Sequence, residues 1–226
     1  MQNNESNRKK CLKQQTELRR TIEKSDKINE VLKYFINQHS FLHSSAISKK
    51  KLWSFEDVVF ENTTEEILRR IPNNCNHSIL WNIWHIARIE DVTMNILVAG
   101  SKQVLNCGEW NKKMGIEYPD TGNCMKEKDI KYLSETINIT QLRKYRLKVG
   151  MRTQEIISHL KIDDIKRDIA QNRLERIMEE RALVEEASPI KEYWGKRKVA
   201  GLMLMPATRH NIIHLNEALQ LKQRKK

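Results

Sequence analysis

Two histidines near the carboxyl end of the chain, His210 and His214, stand four residues apart in the segment RHNIIHLNE. On a helix this spacing points both imidazoles from one face, so that the pair can bind a single metal ion. The alternative is a histidine pair on an exposed helix face. The segment lacks the glutamate of H-E-x-x-H, which argues against a zincin-type protease. Glu217 lies about one turn beyond His214 and is a candidate for orienting a ligand or acting as a base.

A third candidate ligand, His85, lies inside the apolar stretch SILWNIWHIARIED, where a buried histidine needs a partner. The alternative is a core histidine that bonds a backbone carbonyl or a carboxylate. Three neutral imidazoles from two helices would leave coordination positions open for water or substrate. Such ligands favour zinc or nickel, with iron, manganese and copper as alternatives. Arg88, one turn from His85, is a candidate for steering an anionic substrate.

The remaining chemistry-bearing residues offer weaker sites. The cysteines at positions 11, 75, 107 and 124 form no C-x-x-C pair, and the P-loop, dinucleotide-binding and serine-hydrolase motifs are missing from the sequence. The metal hypothesis therefore stands partly by elimination. The patterns predict a bundle-facing His43, a loop residue at His77, surface or boundary positions for His39 and His159, and core packing for Trp81 and Trp84.

The elements that must position these residues are predicted to be helices. Seven glycines and four prolines are few for a fold with many tight turns. Apolar periodicity predicts a long helix from about residue 28 towards residue 59, with a break near residues 48–51, and a buried helix capped by Ser78 that ends at Gly100. A third helix covers about 139–161. A final helix covers at least 206–221, with Pro206 either in its first turn or kinking a helix begun near Val199.

These elements predict an all-α protein, a four-helix bundle with a long connection between its second and third helices and extra short helices before the last. The chain of 226 residues suits one compact domain, at 26–222. Residues 1–25 are predicted to be a mobile or loosely helical tail whose removal changes stability little, and 223–226 a short basic end. The net charge of +12 is concentrated at these ends, so nucleic acid is a conceivable partner, although two solvated ends are the preferred interpretation. Lacking an apolar run long enough for a membrane span or a secretory signal, the protein is expected to be cytoplasmic.

The chain resembles the DinB/YfiT-like family of four-helix-bundle proteins. The resemblance is carried by SILWNIWHIARIED, the pair Trp194-Gly195 and PATRHNIIHLNEA, and it covers roughly residues 28–222. In that family one histidine of the second helix and an H-x-x-x-H pair of the last helix bind a divalent metal. The resemblance therefore implies His85, His210 and His214 as metal ligands.

The same resemblance implies a class of reaction, because the family includes enzymes that use low-molecular-weight thiols such as bacillithiol or mycothiol. A metal with open positions would lower the pKa of a thiol beside an electrophilic small-molecule substrate. We therefore expect a metal-dependent enzyme, either a thiol S-transferase or a hydrolase-like protein, and leave a homodimer open. The alternative is a non-catalytic metal-binding or stress-related protein whose basic ends contact nucleic acid or an acidic partner.

Overall fold

The computed structural model describes residues 2–48 and 52–224, and within these ranges the regular structure is helical, without a β-strand. No helix in this part of the chain combines the length and the apolar character that a membrane crossing requires. The α-helices are α1 (Gln2–Lys24), α2 (Ile28–Leu42), α3 (Phe55–Phe60), α4 (Glu65–Arg69), α5 (Ile79–Asp91), α6 (Val104–Cys107), α7 (Trp110–Met114), α8 (Glu127–Thr136), α9 (Ile139–Ser158), α10 (Ile162–Lys166), α11 (Gln171–Glu179), α12 (Ser188–Gly195), α13 (Val199–Leu204) and α14 (His210–Gln223).

The bundle predicted from the sequence is confirmed. Its main helices are α2, α5, α9 and the α13–α14 pair, and α5 packs against both α9 and α14. The long connection runs through α6, α7 and α8, while α10, α11 and α12 are the extra short helices before the last one. Two hydrophobic clusters fill the interior, one around Trp84 and the other around Leu202. Helix α5 and its continuation contribute residues to both clusters and so form the centre of the molecule.

Helix α5 begins where the sequence predicts, and its π-helical continuation ends where the sequence predicts. The Ser78 hydroxyl oxygen accepts a hydrogen bond from the Trp81 backbone nitrogen at 3.0 Å, which caps the first turn. Every residue of α5 is buried, and the helix continues as a π-helical segment, Val92–Ala99. Gly100 ends it with a φ of 69°, a left-handed conformation that favours glycine.

The first predicted helix is shorter than expected. Helix α2 ends at Leu42, a 3-10 turn follows at Ser45–Ile47, and α3 starts separately. Local caps explain the interruption, because the Ser44 side chain accepts a bond from the Ala46 nitrogen and the Ser54 side chain accepts one from the Asp57 nitrogen. Residues 49–51, at the predicted break, lie outside the described residues.

The last helix is the longer of the two alternatives, since it starts at Val199 and passes through a π-helical turn, Met205–Arg209, before α14. Pro206 lies in this turn and has no backbone N–H to donate. The Leu204 carbonyl, near the proline, accepts a bond from the Gln15 amide at 3.2 Å, and the same amide bonds the Thr208 hydroxyl at 2.9 Å. A side chain of α1 thereby satisfies the irregular backbone just before the histidine pair.

Helix α1 differs from the expected loose tail. It packs along α2, and its Leu18 and Cys11 side chains are buried in the two hydrophobic clusters. Sequence reasoning missed this packing because only a few of its 23 residues are apolar, although two of them, Cys11 and Leu18, are buried. Helix α1 also neutralises part of its own charge, through the pairs Lys9–Glu5, Arg19–Glu23 and Arg20–Glu17.

The basic carboxyl end also has partners within the chain. The Lys222 ammonium donates to the Val58 and Glu61 carbonyls, and the Arg224 guanidinium lies 2.7 Å from the Cys75 sulfur. Lys225 and Lys226 lie outside the described residues. The last described basic side chains therefore lie against the domain.

Replacing Leu18 tests the packing of α1. We expect Leu18→Ala to lower the free energy of unfolding by about 2–5 kcal/mol, because a fully buried leucine leaves a cavity. Leu12→Ala is the matched control in the same helix, since Leu12 is 52% exposed and should change stability by less than about 0.5 kcal/mol. Urea denaturation measures both. Equal, small effects would restore the loose-tail interpretation, which also predicts that deleting residues 1–24 shifts the melting temperature little.

Candidate metal centre

The structure brings His85, His210 and His214 together. One ring nitrogen of each lies within 4.8 Å of one ring nitrogen of the others, and the His85 ring centre is 5.0 Å from the ring centres of both partners. Helix α5 supplies His85, which is 3% exposed, while α14 supplies the half-buried pair. The histidine pair predicted from its spacing and the histidine predicted from its place in the apolar helix therefore form one cluster between two packed helices, and its accessible side is that of α14.

The ring of His85 is held by the connection that follows α5. Its Nδ1 lies 2.5 Å from the Thr121 carbonyl oxygen, which can only accept, so Nδ1 carries the proton and donates. The neutral ring therefore leaves the Nε2 lone pair unprotonated. Metal-binding histidines are commonly oriented in this way, through a carbonyl or carboxylate that fixes the second nitrogen.

His214 is oriented by two oxygen acceptors. Its Nδ1 donates to the Asn82 side-chain oxygen at 2.7 Å and to a Glu217 carboxylate oxygen at 3.1 Å. The Asn82 amide is itself fixed, because its nitrogen donates to the Ser78 carbonyl at 3.1 Å. Glu217 thus contacts His214, and the cap of α5 is connected to the site through Asn82.

The pair His210 and His214 brings two ring nitrogens into close contact. Their Nε2 atoms face each other at 3.1 Å, and the His210 Nδ1 is buried without a hydrogen-bond partner among the described residues. Since His214 carries its proton on Nδ1, its Nε2 is a lone pair. The short separation must be bridged either by a proton on the His210 nitrogen or by a cation that both nitrogens bind. Three imidazoles arranged in this way fit a divalent transition-metal ion.

Burial keeps two of the imidazoles neutral. It lowers the pKa of His210 to about 3, with contributions from His214 and Arg146, and it lowers the pKa of His85 well below the usual range. Neutral imidazoles are the form that binds metal, so protons compete weakly for both nitrogens near pH 7. Burial raises the pKa of Glu217, but hydrogen bonds from His214 and His77 outweigh it and lower the net value, so the carboxylate stays charged.

Arg88 does not have the role in substrate binding that was expected from its position. It is completely buried, and its guanidinium donates to five acceptors: the Asp91 carboxylate, the Tyr145 hydroxyl, the Gln103 side chain and the Pro119 and Asp120 carbonyls. No donor is directed to solvent. Because Asp120 precedes Thr121, Arg88 instead fixes the segment whose carbonyl orients His85.

Aromatic stacking forms one wall of the site. Trp81 is stacked between His77, at 3.7 Å between ring centres, and His85, at 4.6 Å. Trp81 and Trp84 are buried as predicted, and His77 precedes α5 as predicted. Sequence reasoning nevertheless missed the contact of His77 with Glu217, at 3.4 Å. Asn82 was also missed, although a polar residue in an apolar helix is the same signal that identified His85.

The other predicted histidine positions have mixed outcomes. His43 is buried in the bundle and His159 is exposed, which confirms both predictions. The prediction for His39 is wrong, because its side chain is fully buried and bonded to Glu90 at 2.8 Å. The periodicity placed His39 at the edge of the apolar stripe. The sequence pattern of one helix does not show that a residue of another helix, here Glu90, will pair with it in the interior.

A comparison with protein-family models gives one match, to the DinB superfamily, over residues 55–218. The matched range covers well over half of the chain. The chain belongs to the DinB superfamily. The DinB match includes all three clustered histidines and leaves out α1 and α2. Among curated proteins, none matches the chain.

A glycine beside the site makes the support of His85 testable. Gly122 has a φ of 78°, and a Cβ there would lie 2.5 Å from the Trp84 ring, so we expect Gly122→Ala to destabilise the protein and to disturb the segment that holds His85. Gly115→Ala is the matched control: its φ of 71° is similar, but the nearest atom to a Cβ is 3.9 Å away. The control should cost about 1–2 kcal/mol and Gly122→Ala about 1–3 kcal/mol more. Equal losses of unfolding free energy in the two variants, measured by chemical denaturation, would show that the segment around Gly122 can move to accommodate the added methyl group.

Proposed function

We propose that this DinB superfamily protein binds a divalent metal through His85, His210 and His214 and uses it in a reaction on a small molecule. The observation that carries the proposal is the orientation of the rings. Two Nδ1 atoms donate outward to fixed oxygen acceptors, while the His210 and His214 Nε2 atoms approach to 3.1 Å. Three protein ligands leave positions for an exogenous ligand, which is the feature that distinguishes catalytic from structural metal sites.

A divalent ion held there would lower the pKa of a thiol or water bound beside it. The chain's own residues set the conditions for that chemistry. Glu217 and Asn82 keep the proton of His214 on Nδ1, the Thr121 carbonyl does the same for His85, and the Trp81 ring stacks on the His85 ring. The half-buried faces of His210 and His214 provide the approach for a ligand.

For the reaction, we propose transfer of a low-molecular-weight thiol, on the strength of the family resemblance together with the open three-histidine site. In such a transfer the sulfur forms a bond to an electrophilic carbon, the leaving group departs with the bonding electrons, and the thiol proton passes to solvent. A hydrolase-like reaction of water at the same site, and a non-catalytic metal-binding role, are the outcomes against which this is tested. Zinc and nickel are the metals we propose first, since both accept imidazole ligands.

Loss of either histidine of α14 should remove the metal. We expect His210→Ala and His214→Ala, expressed with zinc and with nickel, to lose the ion of this site while helical content by circular dichroism stays close to wild type. His159→Ala is the control, because His159 is exposed and distant in the chain from the cluster. Elemental analysis and competition with a chromogenic chelator measure binding. Unchanged metal affinity in both α14 variants would contradict the assignment of His210 and His214 as ligands.

The orienting carboxylate gives a graded variant of the same experiment. Glu217→Gln should keep the metal but weaken its binding by about 10–100-fold, because an amide cannot supply the charge that supports the His214 proton. Glu192→Gln on the exposed side of α12 removes the same charge elsewhere and should have no effect.

The thiol reaction is tested with the metal-loaded protein. Bacillithiol, mycothiol, glutathione, coenzyme A and cysteine are each offered with a bimane or chloroarene electrophile, and we expect at least one to react faster in a metal-dependent way. The rate should be lost in His214→Ala and kept in His159→Ala. Free thiols are mostly protonated at neutral pH, so the acceleration should be greatest where the uncatalysed reaction is slow. No metal-dependent rate with any thiol would favour hydrolysis or a non-catalytic role.

A further inference from the structure

A second cluster of possible ligands lies elsewhere in the bundle, where no part of the proposed function uses it. His39, in the last turn of α2, and His43, the residue that follows the helix, direct their Nε2 atoms to the two oxygens of Glu90, at 2.8 Å and 3.0 Å. One ligand atom of each residue lies within 4.8 Å of the others, and all three side chains are fully buried. The two imidazole rings are stacked, with 4.2 Å between their centres.

The spacing of this cluster repeats that of the three-histidine site. His39 and His43 stand four residues apart in HSFLH, as His210 and His214 do in HNIIH. His210 and His214 lie on α14, the second pair lies at the carboxyl end of α2, and α5 supplies the third group to both clusters, Glu90 here and His85 there. Two histidines and one carboxylate are a ligand set that binds divalent first-row transition metals.

The charge of Glu90 is the second argument. Within the described part of the chain its hydrogen-bond partners are His39, His43 and the amide of Asn211, whose nitrogen lies 3.3 Å from the carboxylate. The nearby Arg146 guanidinium is instead bound to the Glu56 carboxylate at 2.6 Å. A buried carboxylate is normally paired with a cation or bound to a metal, and Glu90 contacts no arginine or lysine in this range.

The surroundings of His39 allow its Nε2 atom to act as a ligand. The His39 Nδ1 lies 3.3 Å from the Gln154 amide, which also lies 3.1 Å from the Ser40 hydroxyl. Turning that amide presents its oxygen to both groups, and the His39 proton can then reside on Nδ1. The His43 Nδ1 is buried, has no hydrogen-bond partner in the ranges that the structure describes, and faces Gly150, where a Cβ would come within 2.5 Å of it. The absence of a side chain at this position lets α9 approach His43 closely.

We propose that His39, His43 and Glu90 form a second, enclosed site for a divalent transition-metal ion with zinc-like ligand preference. This site is separate from the three-histidine centre and does not depend on the function proposed for it. Its enclosure suits a structural ion that ties α2 to α5, because buried ligands leave no access for substrate. The match to the DinB superfamily begins at residue 55, so both histidine ligands lie outside it.

The experiment counts metal ions per chain. Because the site is enclosed, the full chain is unfolded in guanidinium and refolded with Co²⁺, with Mg²⁺ as the control ion, and excess metal is removed. We expect elemental analysis to give two Co²⁺ per wild-type chain, one for His214→Ala, one for Glu90→Gln and none for the double variant. Glu56→Gln is the matched control, since it removes another buried carboxylate and should retain both ions.

A second measurement covers the case in which Glu90→Gln folds poorly. In the His214→Ala background, Co²⁺ should raise the midpoint of guanidinium unfolding, and His43→Gln should abolish that increase, because an ion that binds only the folded state stabilises it. If His214→Ala retains no Co²⁺ and gains no stability from it, Glu90 is held by protons alone and the second site is refuted. One ion that is lost in Glu90→Gln and kept in His214→Ala would instead refute the three-histidine centre and leave this site standing.

Discussion

The interior position of α5 is the constraint on which the rest of the structure depends. All its residues are buried, yet it carries four ionisable side chains that are at most 3% exposed, His85, Arg88, Glu90 and Asp91. A buried polar group without a partner costs about 1–3 kcal/mol, and a charged one costs more. Each of these side chains must therefore be satisfied by a neighbouring element, and the arrangement of the helices around α5 can be understood as the set of partners that it requires.

The partners of α5 come from every side of the bundle. Arg88 and Asp91 both bind the Tyr145 hydroxyl of α9, and Arg88 also binds the connection after α5. These bonds position the Thr121 carbonyl, which orients His85. Glu90 binds the carboxyl end of α2 through the imidazoles of His39 and His43. His85 completes the cluster of α14. Since these interactions share one rigid helix, the orientation of the His85 ring depends on contacts well removed from the proposed metal.

Irregular backbone near the candidate centre is supported from outside the helices that carry the ligands. The π-helical turn Met205–Arg209 immediately precedes His210. Gln15 of α1 bonds the Leu204 carbonyl just before this turn and the Thr208 hydroxyl inside it. Turns of this kind occur often at functional sites, where they shift the register of the side chains that follow. Helix α1 therefore belongs to the folded unit that positions the histidine pair.

The sequence by itself determined α5, with its serine cap and terminal glycine, the four-helix class, and the three histidines that meet. Local periodicity, capping and the i, i+4 spacing are encoded within a few residues, so they can be predicted without knowing what packs where. The burial of His39, the five acceptors of Arg88 and the packing of α1 were decided by the tertiary structure. Each depends on residues distant in the chain, as Arg88 depends on Tyr145, and hydrophobic pattern carries no information about which distant polar group will satisfy a buried one.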